Sequence, residues 1–131
     1  MKKLSKEFPL SILIAEDNFI NQKLLMDVLA TQGYSCDAVN NGFDVLETVK
    51  KKKYDLILMD IQMPGMTGEE TMKQVKALTK DDCPKIIAVT AYAMADDRGK
   101  YLESGMDGYI SKPFRVDELM SEIRNVIRKK K

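Results

Sequence analysis

Asp55-Leu56-Ile57-Leu58-Met59-Asp60 is a run of four apolar residues that closes on a carboxylate. A strand with one wet face alternates apolar and polar side chains, whereas an unbroken apolar run suits a strand covered on both faces. Ile12-Leu13-Ile14-Ala15 and Ile86-Ile87-Ala88-Val89 read the same way. Strands are therefore predicted over 11–15, 34–39, 55–59, 85–89 and 108–111. The second and fifth are less apolar and suit positions nearer a sheet edge.

Between these runs the period changes to that of a helix. Ile20, Leu24, Leu25, Val28 and Leu29 form one stripe, with Asn18 placed to cap it and Gly33 to stop it. Phe43, Leu46 and Val49 form a second after the Asn40-Asn41-Gly42 turn, and Met72, Val75 and Leu78 a third. A helix over 93–104 is poor in apolar residues and ends at Gly105. Val116, Leu119, Met120, Ile123, Val126 and Ile127 make the clearest stripe. Regular alternation of strand and helix predicts an α/β chain of (βα)5 type, with an open parallel sheet and right-handed crossovers.

The 131 residues amount to one domain, with a net charge of +1 and 31% charged residues. That balance does not point to direct nucleic-acid binding. Cys36 and Cys83 lie far apart and read as two reduced thiols, which fits a cytoplasmic protein. No apolar run is long enough to span a bilayer, so no membrane contact by this domain is expected. Residues 1–9 read as a linker or frayed N-terminus without the apolar core of a signal peptide, and 130–131 as a basic tail. Histidine is absent from the chain. It can supply neither a phosphohistidine nor a histidine ligand or base.

In open α/β sheets ligands bind beyond the carboxyl ends of the strands. The predicted first strand ends in Glu16-Asp17, the third in Asp60, the fourth in Thr90 and the fifth in Lys112-Pro113. A polar residue after a strand can simply cap the next helix, but here three acids converge on one edge. Converging carboxylates repel and are pushed toward the protonated state unless a cation neutralises them. An all-oxygen set of this kind suits Mg2+, with Mn2+ able to substitute. Asp60 opens the loop Ile61-Gln62-Met63-Pro64-Gly65-Met66-Thr67-Gly68, where a carboxylate can attack phosphorus and become an acyl phosphate. Lys112 offers a charge and Thr90 a hydroxyl to the transferred group.

Four pieces, in order and each at a strand end, carry a resemblance: Ile14-Ala15-Glu16-Asp17-Asn18, Met59-Asp60-Ile61-Gln62-Met63-Pro64-Gly65-Met66-Thr67-Gly68, Val89-Thr90-Ala91 and Gly108-Tyr109-Ile110-Ser111-Lys112-Pro113-Phe114. Across residues 10–129 the chain resembles the receiver domain of two-component response regulators. The resemblance implies a flavodoxin-like three-layer sandwich with strand order 2-1-3-4-5. It also implies a phosphoryl-accepting signalling domain, not a conventional turnover enzyme. Asp60 would be the phosphoacceptor, and Asp17 would ligate Mg2+ with the backbone carbonyl of Gln62, Glu16 helping through water. Thr90 and Tyr109 would form the switch pair and Lys112 would meet the phosphoryl oxygens, across an expected cis peptide to Pro113. The fourth helix, fifth strand and fifth helix would form the active surface, of a monomer or of a weak dimer.

Glu16-Asp17-Asn18-Phe19-Ile20-Asn21-Gln22 looks most like the receivers of hybrid sensor histidine kinases. Its implied partners are a histidine kinase phosphodonor, in cis or in trans, and a histidine phosphotransfer protein. A stand-alone single-domain regulator acting by protein interaction is the alternative. Thr67 stands where Asp is common, and Gln62 and Tyr92 would overhang the site and tune the lifetime of the phosphorylated form. A haloacid-dehalogenase-like phosphotransferase would need an acid where Gln62 stands. A flavodoxin-like electron carrier would need a phosphate-cradling loop where Glu16-Asp17-Asn18-Phe19 stands.

Overall fold

The computed structural model describes residues 6, 9–63, 65–90, 97–112 and 114–128. Five strands, β1 (Ile12–Ala15), β2 (Asp37–Val39), β3 (Leu56–Asp60), β4 (Lys85–Thr90) and β5 (Gly108–Ser111), form one sheet in the order β2-β1-β3-β4-β5. Every pairing is parallel. The helices are α1 (Phe19–Thr31), α2 (Gly42–Lys51), α3 (Gly68–Thr79), α4 (Asp97–Ser104) and α5 (Val116–Arg128), and a 3-10 turn spans Lys80–Asp82. None of these helices is long and apolar enough to cross a membrane.

The continuous apolar runs do what their pattern demands. Successive side chains of a strand point to opposite faces, so each central strand feeds two cores. Leu13, Ala15, Ile57, Met59, Ile86 and Ala88 pack with Val45, Leu46, Met72, Val75 and Tyr101 on the face covered by α2, α3 and α4. Ile12, Ile14, Leu56, Leu58, Ile87 and Val89 pack with Leu25, Leu29, Leu119, Ile123 and Val126 on the face covered by α1 and α5. The three-layer sandwich and its strand order follow, with the less apolar strands β2 and β5 at the edges.

Local chemistry sets the helix starts. Asn18 Oδ1 accepts the Asn21 N–H at 3.0 Å, and Asn41 Oδ1 accepts the Asp44 N–H at 2.8 Å. Thr67 and Glu70 cap each other's backbone in a capping box. Thr67 therefore has a structural task of its own where the commoner residue would be Asp.

Three helical stripes sit differently from their prediction. Leu25 and Leu29 are buried, but Ile20 and Leu24 lie exposed; Val45 and Leu46 are buried, but Phe43 is exposed; Met72 and Val75 are buried, but Leu78 is half-exposed. In α1 and α2 the face turned to the sheet is rotated by about one residue from the stripe that spacing alone picks out, whereas in α3 the stripe holds at Met72 and Val75 and emerges at Leu78. The second strand is also shorter than predicted: Tyr34 is buried ahead of it, and pairing begins only at Asp37. Of the predicted 93–104 helix, residues 97–104 are described and helical.

Candidate functional site

Glu16 and Asp17 leave the end of β1, and Asp60 is the last residue of β3, its neighbour in the sheet. Parallel pairing thus delivers the three acids to one edge. One carboxylate oxygen from each lies within 4.8 Å of the others. They open onto a cleft of about 280 Å³ that Asn18, Asn21, Gln62 and Lys112 also line.

The acids differ in surroundings. Glu16 is 1% exposed, and its Oε1 takes the Lys112 ammonium at 2.5 Å while Oε2 accepts the Asn18 N–H at 3.2 Å. Asp17 is exposed to solvent. Asp60 is 7% exposed, and its Oδ1 accepts the Gln62 N–H at 3.2 Å. Burial first, and then the adjacent Glu16 carboxyl, push Asp60 up to about 8, against the opposing pull of Lys112 and the Gln62 N–H. A buried carboxyl held this high beside a second one is a site short of positive charge. Its oxygen donors and its charge both fit a divalent hard cation.

The backbone fixes these positions tightly. The Lys112 N–H donates to the Thr90 carbonyl at 2.8 Å, so the lysine is held where β4 ends. Gly68 begins α3 against the acceptor loop: a Cβ there would meet the Asp60 carbonyl oxygen at 2.6 Å and Ile61 Cα at 3.0 Å. Only glycine permits that approach. The Gln22 amide donates to the carbonyls of Glu16 and Val39, both at 3.2 Å, and to Asn40 Oδ1 at 3.0 Å. It ties α1 to the mouth of the cleft.

Glu16, Asp17, Asp60, Gln62 and Lys112 are therefore brought together as the sequence implied. Thr90 is buried at the end of β4 and does not line the cleft. Tyr109 is also buried, its ring stacked on Tyr101 of α4 with centroids 5.5 Å apart and planes 19° from parallel. Tyr109 is thus already packed inward. Tyr92 and Pro113, with the peptide joining Lys112 to Pro113, lie outside the described residues. Asn21, Gln22 and Gly68 are the positions whose roles sequence reasoning did not give. For Gly68, the signal was a glycine directly after a helix cap.

An acidic cleft flanked by a lysine, at the carboxyl edge of an open parallel sheet, defines an α/β domain whose site suits a hard divalent cation. The particular family is clear from comparison: the chain belongs to the response regulator receiver domain family, whose model matches residues 12–124. It is 42% identical over 126 residues to Histidine protein kinase 1 of Candida albicans, covering 88% of this chain and 5% of that protein. It is 37% identical over 119 residues to the polar-differentiation response regulator DivK of Brucella anthropi, covering 91% of this chain and 97% of that one. The chain thus spans a small part of that kinase and nearly all of DivK. Among solved structures, the receiver domain of a sensor histidine kinase from Pseudomonas aeruginosa superposes with a TM-score of 0.81 at 32% identity, over 92% of this chain and 98% of that one. That receiver holds a magnesium ion coordinated in its active site cleft.

Proposed function

We propose that this receiver accepts a phosphoryl group on Asp60 in a Mg2+-dependent reaction. The observation that carries the reading is the convergence of Glu16, Asp17 and Asp60, one carboxylate oxygen of each within 4.8 Å of the others, with Lys112 beside them. Asp17 and Asp60 would hold the cation with the Gln62 carbonyl, and Glu16 would reach it through water. Bound there, the cation supplies charge compensation for the acids and for the incoming phosphoryl oxygens. Mn2+ would serve in its place.

The chain's own residues do the rest. Deprotonated Asp60 attacks phosphorus; the P–N bond of a phosphohistidine breaks as the P–O bond forms, and the released imidazole nitrogen takes up a proton. Lys112 exchanges its Glu16 partner for a phosphoryl oxygen, and the Thr90 hydroxyl turns toward another. Tyr109, buried and stacked on Tyr101, would hold the switched arrangement. Gln62, which lines the cleft, would govern how water reaches the acyl phosphate, with Tyr92 as a second candidate for that role.

Because the chain has no histidine, both donor and acceptor histidines belong to other segments or proteins. A histidine kinase donates, and a histidine phosphotransfer protein receives. The domain works in the cytoplasm, as a phosphoprotein intermediate and not as a turnover enzyme. A hybrid kinase parent fits the Candida match, and a stand-alone regulator fits the near full-length match to DivK.

The test is labelling by acetyl phosphate in Mg2+, read by intact mass and peptide mapping. Wild type gains one phosphoryl group on the peptide holding Asp60, and Asp60→Asn gains none. Full labelling of that variant would sink the assignment.

A further inference from the structure

Among the described residues, a cleft larger than the acidic one lies elsewhere. It lies at the opposite, amino end of the sheet, where α2 and α3 end, and encloses about 480 Å³. Val49, Tyr54, Leu78 and Pro84 form an apolar floor. Leu78 is the telling member. It continues the Met72 and Val75 stripe, yet those two are 0% exposed and Leu78 is 48% exposed. Set beside the apolar floor and a charged rim, this half-exposed leucine offers a seat for one apolar side chain.

The rim is a run of four lysines, Lys50, Lys51, Lys52 and Lys53, against one acid, Asp82. Lys50 and Lys51 lie in the last turn of α2, where cations offset the helix dipole. Lys52 is the C-cap of α2, its ammonium 5.2 Å from the centroid of the Tyr54 ring, and Lys53 lies past the helix. Lys50 pairs with Glu47, Lys52 with Asp37 and Lys53 with Asp82, all through well-exposed side chains. Exposed pairs of this kind contribute little and exchange readily. Among the described residues Lys51 makes no ion pair.

We infer that this groove docks an acidic peptide segment of a partner protein, with one apolar side chain of that segment seated on Leu78. A small-molecule site holds its polar groups at fixed positions, whereas these cations ride on flexible, solvated stems. Such a rim suits an extended acidic chain, which it attracts at long range and in a salt-dependent way. The groove lies away from Asp60, so the partner stays tethered while the phosphoryl cleft remains open. The inference does not depend on phosphoryl transfer.

An NMR titration of the labelled 131-residue chain decides it. The probe is a synthetic peptide of glutamates with two central leucines, and the control is the same length of glutamate alone. Amide shifts should concentrate in segments 49–54 and 78–84 and shrink with added salt. Binding should weaken about tenfold for the all-glutamate control and for Leu78→Asp, the loss of one apolar anchor. Lys51→Glu with Lys53→Glu should weaken it at least as much, and Asp60→Asn should leave it unchanged. The affected positions are exposed, so the remaining resonances should stay in place and report an intact fold. Equal binding by Leu78→Asp, shifts centred elsewhere, or displacement by a nucleotide at matched concentration would overturn the inference.

Discussion

The two ends of the sheet use aspartate in opposite ways. At the amino end, Asp55 Oδ2 accepts the Ser11 N–H at 2.8 Å and Asp107 Oδ2 accepts the Ile86 N–H at 2.9 Å, with Lys85 beside Asp107. Asp55 thus ties the start of β3 to the start of β1, and Asp107 ties the start of β5 to β4, each carboxylate accepting a backbone N–H. At the carboxyl end, Glu16, Asp17 and Asp60 crowd one another, and among the described residues Lys112 is the single cation lining their cleft. The same residue type is satisfied at one end and frustrated at the other. Frustration of that kind costs stability and persists where a cation or a reaction relieves it.

The largest effect should come from the frustrated end. Asp17→Ala should weaken Mg2+ binding on the order of a hundredfold, the scale on which metal sites respond to loss of their support, in a titration followed through tyrosine. Wild-type affinity in that variant would remove Asp17 from the ligand set. Gly68→Ala comes next. Its Cβ would meet backbone at Asp60 and Ile61, so the acceptor loop must move. Thermal and urea unfolding should show a loss of about 1–3 kcal/mol, typical of overpacking, together with weaker Mg2+ binding.

At the satisfied end, Asp107→Ala leaves the buried Ile86 N–H without its acceptor carboxylate. The expected loss is about 1–3 kcal/mol, with Mg2+ affinity unchanged. A change in metal affinity there would erase the contrast between the ends. The smallest effect belongs to the surface: Lys53→Ala, which removes an exposed pair with Asp82, should alter stability by no more than about 0.5 kcal/mol.

Much of this contrast was legible in the sequence. Three unbroken apolar runs fixed a doubly covered parallel sheet, and the residues closing Ala15, Met59 and Ser111 placed Glu16, Asp17, Asp60 and Lys112 at one edge. What stayed hidden depends on angles and on distant contacts. Helical spacing gives the width of an apolar stripe but not which side of it meets the sheet, so Ile20, Leu24, Phe43 and Leu78 read as core and emerged exposed. The Lys112–Glu16 pair joins residues 96 positions apart and needs the finished fold. Thr67 read as a missing charge because its value lies in backbone bonds with Glu70, not in the site.

The most direct test of the crowded-acid claim is the titration of Asp60, followed by carbon NMR of its carboxyl with and without Mg2+. In the metal-free protein its pKa is raised from 3.8 to about 8. Between those values the folded chain keeps a proton that the unfolded chain has lost, so metal-free stability should fall as pH rises through that window. Mg2+ should bind with release of this proton, more tightly as pH rises toward 8, and hold Asp60 ionised well below neutrality. A metal-free Asp60 that titrates near 4, with Mg2+ affinity flat from pH 6 to 8, would contradict the account.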